Sequence, residues 1–190
     1  MNIDSDIVLW VNGHNSPFLD EFMWTMSKPT TWIPLYVLLL FLLWYKVRNW
    51  RTLLIILIGF AVAVGLSDYI CSGLLKPLLC RLRPTHDPDM PLLHIVHNYR
   101  GGRYGFCSSH AANSMAVALL FSLLYRKKIA TTLLMVWVAV VCYSRIYLGV
   151  HYPTDILAGL AIGSLLAVPT WLVLSIVYRV DDEEVLKGDS

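Results

Sequence analysis

Charged residues are scarce in this sequence, and their scarcity indicates the class of protein. Of the 190 residues, 15% are charged and 57% are hydrophobic, whereas a soluble domain carries about a quarter charged residues. The net charge is only +2, and no basic stripe with interleaved aromatic residues is present, which argues against a nucleic-acid partner. The composition therefore predicts an integral membrane protein that has the bilayer as its solvent.

Cysteine is also sparse, and its four positions do not indicate a disulfide framework in a membrane protein. Cys71 and Cys142 fall in apolar runs and are predicted to lie within membrane spans. Cys80 and Cys107 share one long connection, where they either pair or remain free thiols.

Long windows without charge indicate the spans, since a membrane helix needs roughly 17–25 mostly apolar residues. The windows are 29–45, 52–67, 111–125, 129–144 and 156–178. Most reach span length only by continuing into their polar flanks. The sequence thus predicts an all-α, polytopic membrane helix bundle with about five transmembrane helices, near 30–47, 51–73, 109–126, 129–147 and 154–178.

The two ends of the chain differ from this membrane domain, which we place at 29–179. Residues 1–28 are too acidic for a signal peptide and are predicted to form one or two interfacial helices. Their aromatic anchors would be Trp10, Phe18, Phe22 and Trp24. Residues 180–190 are predicted to be a polar cytoplasmic tail.

The loops indicate how the bundle is oriented. The connections YKVRNWR (45–51) and YRKK (125–128) are short and basic, which is typical of the cytoplasmic side. The connections 74–108 and 145–154 are then expected outside.

That topology brings ionisable residues together at the outer side. The outer helix ends carry Lys76, His110, Arg145 and Asp155, and His151 lies just before the last helix. Ionisable groups at membrane depth are functional-site candidates. The alternative is that the cations extend to lipid headgroups, as Lys and Arg do at helix ends. Two histidines and an aspartate beside several cations favour a site.

Three motifs refine this hypothesis: KPLLCRLRP (76–84), CSSH (107–110) and SRIYLGVHYPTD (144–155). With its K-x6-R-P and S-R-x5-H-x3-D spacings, the chain resembles the type 2 phosphatidic acid phosphatase and vanadium haloperoxidase superfamily over about residues 51–178. The resemblance implies a phosphatase that needs no metal or other cofactor. The middle motif departs from the family's P-S-G-H, with Cys107 for Pro and Ser109 for Gly. A Ser would strain the turn there if a positive φ were needed.

The residue types also suit phosphate chemistry. Lys76, Arg83 and Arg145 supply positive charge for an anionic substrate and transition state, and arginine adds bidentate geometry. Ser108 precedes an apolar helix as an N-cap would. The first amides of that helix, including that of Ser109, would then face an anion.

The histidines divide the remaining work. Pro153 suits the first turn of the last helix, so His151 lies just outside it and Asp155 within reach of the His151 Nδ1–H. That contact would leave Nε2 to attack phosphorus. In the alternative, Asp155 only caps the helix. The resemblance implies that His151 is the phosphohistidine nucleophile and that His110 is the acid for the leaving oxygen.

Two further features have open interpretations. The segment HDPDMPLLHIVH (86–97) holds three His and two Asp, but its spacing matches no zinc pattern. We expect a polar loop at the site entrance and no metal. Asp68, inside the second span, either orients a site cation or makes a structural hydrogen bond.

The predicted function is therefore hydrolysis of a lipid phosphate at the outer interface, with release of inorganic phosphate. By resemblance the candidate substrates are undecaprenyl diphosphate, a lipid A phosphate, phosphatidylglycerol phosphate and phosphatidic acid. The expected location is a bacterial inner membrane, with the site facing the periplasm. The alternatives are a lipid phosphotransferase and a non-enzymatic phospholipid or phosphate binding or transport protein. Protein partners are not predicted.

Overall fold

The computed structural model describes residues 3–90 and 93–188, with side chains described up to residue 176. In these residues the chain is almost entirely helical. Within the described residues, β-pairing is limited to one isolated bridge between Leu82 and Tyr104. The predicted all-α fold class is confirmed.

Two short helices precede the membrane domain: α1 (Ile3–Gly13) and α2 (Pro17–Ser27). The α2 helix begins with Ser16 as its N-cap, whose side chain accepts the N–H of Leu19, and with Pro17 at its first position. The two predicted N-terminal helices are confirmed, and their interfacial position remains a prediction.

The remaining helices form the bundle: α3 (Ile33–Val47), α4 (Trp50–Asp68), α5 (Lys76–Leu79), α6 (Ser109–Tyr125), α7 (Lys128–Tyr147) and α8 (Pro153–Gly188). Four helical stretches within the described residues are long and apolar enough to cross a membrane, namely Pro29–Val47, Trp50–Leu79, Lys128–Tyr147 and Pro153–Ile176. The α6 helix is apolar but shorter, with 17 residues. The prediction that residues 180–190 form a polar tail concerns side chains beyond residue 176, which are outside the described part of the chain.

The second span extends further than its predicted end near residue 73. After α4 the chain continues through one π-helical segment, Tyr69–Leu75, directly into α5. The prediction from windows without charged residues ends the second span too early because Asp68 and Lys76 lie within this helical stretch. Such π-helical turns often occur at functional sites.

The centre of the bundle is α6, which packs most extensively against α8. The part of α6 that faces Gly159 and Gly163 of α8 is made of small residues, namely Ala111, Ala112 and Ala116. A Cβ on Gly163 would lie 2.2 Å from the Ala112 carbonyl oxygen. Small residues at this spacing let two membrane helices approach closely. The N-terminus of α6 therefore lies in the middle of the bundle, where several helix ends meet.

The pairing of the cysteines differs from one of the two alternatives that the sequence left open. Cys107 forms a disulfide with Cys71, and Cys80 is exposed with a free thiol, so pairing of Cys80 with Cys107 is wrong. Cys80 lies beyond the end of α5, whereas the π-helical segment holds Cys71 against the start of α6. Cys71 and Cys142 lie in helical stretches of span length, as predicted.

Candidate active site

The structure brings all eight predicted site residues into one cluster, which we call the phosphate site. Its members are Lys76, Arg83, Ser108, Ser109, His110, Arg145, His151 and Asp155. Direct contacts join several of them, and His151 interacts electrostatically with Lys76, with both arginines and with His110. Because the residues come from α5, α6, α7, α8 and two connections, the predicted meeting of helix ends is confirmed.

Lys76 contacts the start of α6 directly. Its Nζ donates to the hydroxyls of Ser72 and Ser109 at 3.0 Å each, and those two hydroxyls lie 2.7 Å apart. The Ser72 hydroxyl also contacts Asp68 Oδ1 at 3.4 Å. Asp68 thus makes a hydrogen bond within its helix and, through Ser72, connects to a site cation. Ser72 is not among the residues predicted for the site, although it lies four residues from both Asp68 and Lys76.

The start of α6 has the predicted cap. Ser108 is fully buried, and its hydroxyl accepts the Ala111 N–H at 3.4 Å. Ser109 is the first residue of the helix, and its φ is not positive. The serine in place of the family's glycine therefore causes no backbone strain, and its N–H stays available at the helix N-terminus.

The two arginines are buried and incompletely paired. Arg83 Nε donates to the Tyr104 carbonyl at 3.1 Å, while Arg145 donates to the Ser27 hydroxyl and, at 3.2 Å, to the Tyr99 hydroxyl. Within the described part of the chain, Arg83 Nη1 and Arg145 Nε have no hydrogen-bond partner. Buried, unpaired donors on cations are costly, and an anion bound between them would satisfy them.

The loop over Arg83 requires a glycine. Gly101 has a φ of +66°, and a Cβ there would lie 2.5 Å from Arg83 Nη1. An L-residue would be strained in this conformation and would displace the guanidinium. A Cβ on the adjacent Gly102 would have no other heavy atom within 4 Å.

His151 and Asp155 are both almost completely buried. His151 Nδ1 lies 3.4 Å from Asp155 Oδ2 and makes no hydrogen bond to it. The same oxygen accepts the Tyr152 N–H at 3.0 Å at the start of α8. Asp155 therefore makes the contacts expected from both alternatives: it caps the helix, and it lies beside His151. The start of α8 at Pro153, with His151 just before it, is also confirmed.

The environment keeps His151 uncharged. Burial lowers the pKa of His151 well below its ordinary value of 6.5, and the nearby cations, Arg145 first among them, lower it further. A neutral imidazole has a free lone pair, which is the form that attacks phosphorus.

A second network behind Asp155 was missed in the sequence. Arg81 donates to Asp155 Oδ1 at 2.8 Å, to the Thr154 hydroxyl at 2.6 Å and to Asp4 Oδ2 at 2.8 Å. Thr154 also donates to Asp4. Burial raises the pKa of Asp4, but the hydrogen bonds from Thr154 and Arg81 outweigh it, so that the pKa lies below its ordinary value. In the sequence, the only feature that relates Arg81 to the site is its position inside the K-x6-R-P motif.

The N-terminal helices form one wall of the site. The Ser27 hydroxyl, at the end of α2, accepts from Arg145, and the Ser27 backbone hydrogen-bonds to the His110 ring. Asp20 of α2 accepts from the Tyr147 hydroxyl at 2.6 Å. Residues 1–28 were predicted to be a separate interfacial segment, but in the structure they also contact two site residues, Arg145 and His110.

Asp87, His94 and His97 of the 86–97 loop have protein partners. His94 contacts Asp20, His97 contacts Glu21, both at 2.8 Å, and Asp87 accepts from the Tyr152 hydroxyl at 2.7 Å. No group of three or more His, Cys, Asp or Glu that could hold a metal ion occurs in the residues described, which exclude 91–92. The loop connects the N-terminal helices to the site.

Fold and site together define a polytopic membrane protein with a buried site suited to an anion. The model of the PAP2 superfamily matches residues 56–179. The lipid A 4'-phosphatase of Bacteroides thetaiotaomicron is 36% identical over 181 residues, covering 94% of this chain and 79% of that protein. The lipid A 4'-phosphatase of Porphyromonas gingivalis is 38% identical over 164 residues, covering 86% of this chain and 69% of that protein. The chain belongs to the PAP2 superfamily, which confirms the predicted resemblance.

Solved structures show the same fold. The transmembrane PAP2-type phosphatidylglycerolphosphate phosphatase from Bacillus subtilis has a TM-score of 0.62 at 25% identity, covering 96% of this chain and 85% of that one. LpxE from Aquifex aeolicus has a TM-score of 0.66 at 18% identity, covering 90% and 95%, and is similar in fold.

Proposed function

We propose that the protein is a metal-independent membrane lipid phosphatase that works through a phosphohistidine on His151. The observation that carries the proposal is the buried His151 beside Arg83 and Arg145, each of which has a buried donor without a partner among the described residues. A phosphate group between them would satisfy these donors and present its phosphorus to the imidazole.

The proposed reaction has two steps. Phosphate oxygens bind Lys76, Arg83, Arg145 and the Ser109 N–H, and His151 Nε2 attacks phosphorus. As the bond from phosphorus to the ester oxygen breaks, His110 gives that oxygen a proton. Water then attacks the phosphohistidine while His110 takes a proton from it, and inorganic phosphate leaves. During the reaction, Asp155 Oδ2 approaches His151 Nδ1 from its distance of 3.4 Å and accepts the N–H, which keeps the proton on that nitrogen.

We further propose a phosphate monoester of lipid A as the substrate. The similarity to two lipid A 4'-phosphatases over most of both chains supports it. The basic loops at 45–51 and 125–128 support a site on the periplasmic side of a bacterial inner membrane. In this arrangement residues 29–179 form the membrane domain and residues 1–28 lie at the interface and complete the site wall.

The test is phosphate release by detergent-purified protein in EDTA. The panel holds lipid A, undecaprenyl diphosphate, phosphatidylglycerol phosphate and phosphatidic acid, with His151→Ala as the control. We expect release from lipid A, inhibition by vanadate, and no release by the variant. Loss of activity in EDTA that a divalent ion restores would contradict metal independence. Transfer of the phosphoryl group to a second lipid, without free phosphate, would support the phosphotransferase alternative. Lipid binding without turnover that is unchanged in His151→Ala would support the transport alternative.

A further inference from the structure

A cavity of about 580 Å³ opens beside the phosphate site and extends into the bundle. Ser109 and His110 line its end at the phosphate site. Its deeper wall is mainly apolar and includes Phe60 of α4, Val117 of α6 and Trp137 of α7. The nine residues of α6 from Ser109 to Val117 correspond to about 12 Å along the helix axis. The cavity is therefore a deep apolar pocket that begins at the phosphate site.

Two polar groups in this apolar wall have no partner. The Asn113 side-chain oxygen and the Trp137 indole nitrogen are buried and make no hydrogen bond to any residue that the structure describes. Trp137 is only 6% exposed. Asn113 lies about 4.5 Å, nearly one turn, deeper than His110, and Trp137 lies about 12 Å along α7 from Arg145. Unpaired polar groups in a membrane protein's interior are costly, so each indicates a missing partner.

We propose that this cavity binds the acyl chain nearest the substrate's phosphate, and that Asn113 and Trp137 recognise polar groups on that chain. The inference rests on the proposed function, since it takes the phosphate site as the anchor for the headgroup. The volume suits one chain of a lipid. The occupant is a lipid phosphate whose first chain carries a hydroxyl, amide or ester group where the chain passes Asn113 and Trp137.

The chemistry of the two side chains sets this specificity. The unpaired Asn113 oxygen is an acceptor, so it suits the O–H of a hydroxyl or the N–H of an amide. The indole N–H of Trp137 only donates, and it suits a carbonyl or hydroxyl oxygen deeper in the chain. An isoprenoid chain offers no such group and would leave both side chains unpaired. A site built to hydrogen-bond a polar group discriminates against the analogue that lacks it.

The test uses two synthetic phosphate monoesters with chains of equal length. One carries an amide-linked 3-hydroxyacyl chain, and the other carries an unsubstituted hydrocarbon chain. Binding is measured on detergent-purified His151→Ala protein, so that turnover does not interfere. Asn113→Leu and Trp137→Phe are each added to this background. Trp50→Phe is the matched control, because Trp50 is 64% exposed at the start of α4 and does not line the cavity.

We expect the hydroxyacyl amide to bind more tightly, by about 2- to 12-fold for each hydrogen bond gained. Each pocket variant should lower that preference by a factor of this size, and Trp50→Phe should retain it. Where Asn113→Leu does not fold, as judged by its thermal transition and gel filtration, Asn113→Ala replaces it. Equal affinity for the two probes, or a preference unchanged in both pocket variants, would overturn the inference.

Phosphate release by wild type from the same two probes tests the proposed function separately. Release from both probes with equal binding would refute the chain recognition and leave the phosphatase assignment intact. Binding preference without release would support the pocket and contradict the phosphatase assignment.

Discussion

Arg81 Nη1 lies 2.8 Å from Asp155 Oδ1, and this contact connects the carboxylate beside His151 to the first helix of the chain. The other terminal nitrogen of Arg81 lies 2.8 Å from Asp4 Oδ2. Asp155 has no exposed side-chain surface, so its charge depends on this partner. We therefore expect Asp4 and Arg81 to position Asp155 and, through it, His151.

Replacing Arg81 by Met should lower kcat by about 10- to 100-fold, because small displacements of reacting groups are costly. KM should change little, because Arg81 is not among the residues that we place on the phosphate. Asp4→Asn should have a smaller effect in the same direction. Steady-state kinetics on the lipid substrate measure both values, and Asp6→Asn, on the exposed side of α1, is the matched control. A kcat of Arg81→Met equal to wild type would refute the positioning role.

Gly101→Ala should lower kcat/KM by about 10-fold or more, since a strained residue there displaces a phosphate-binding guanidinium. Its Cβ would lie 2.5 Å from Arg83 Nη1. Gly102→Ala is the control, because nothing lies within 4 Å of a Cβ at that position. The comparison needs only the two variants' kinetics at one pH. Equal values for both would mean that the loop does not hold Arg83 in place.

The depressed pKa of His151 should make the protein less stable in acid. In the unfolded chain a histidine has its ordinary pKa of 6.5 and takes up a proton as the pH falls below that value, while the folded protein keeps His151 neutral. The unfolded state then binds more protons, so this contribution to stability is complete above pH 6.5 and is lost as the pH falls. We expect a larger drop in Tm between pH 7.5 and pH 5 for wild type than for His151→Gln, measured in detergent. The same drop in both proteins would contradict the assignment.

The Cys71–Cys107 disulfide connects the helical stretch that carries Lys76 to the residue before Ser108. The bond closes a loop with a sequence separation of 36, and a loop of this size is typically worth about 2–4 kcal/mol. Cys71→Ala/Cys107→Ala should therefore lower Tm by several degrees, and reductant should lower the Tm of wild type but not that of the variant. Cys80→Ser, at the exposed free thiol, should retain the Tm of wild type. A reductant effect of equal size in the double variant would assign the loss to another cause.

The spans and the phosphate site could be predicted because each has a local signal. Windows without charge indicate helices that bury no ions, and the motif spacings carry most of the site residues. The N-terminal wall had no such signal, since Asp4 meets Arg81 and Thr154 across 77 and 150 residues of sequence. The disulfide was missed for a different reason. Cys71 lies inside the second helical stretch, where the sequence carries no signal for a partner in a connection, whereas Cys80 shares the connection with Cys107.

The central claim is that His151 carries the phosphoryl group, and trapping that intermediate tests it most directly. Protein is mixed briefly with a lipid substrate whose phosphate is radiolabelled, denatured in alkali, and digested for peptide mapping. We predict an acid-labile, alkali-stable label on the peptide that contains His151, absent in His151→Ala. A label on another residue, or undiminished phosphate release by His151→Ala, would contradict the account.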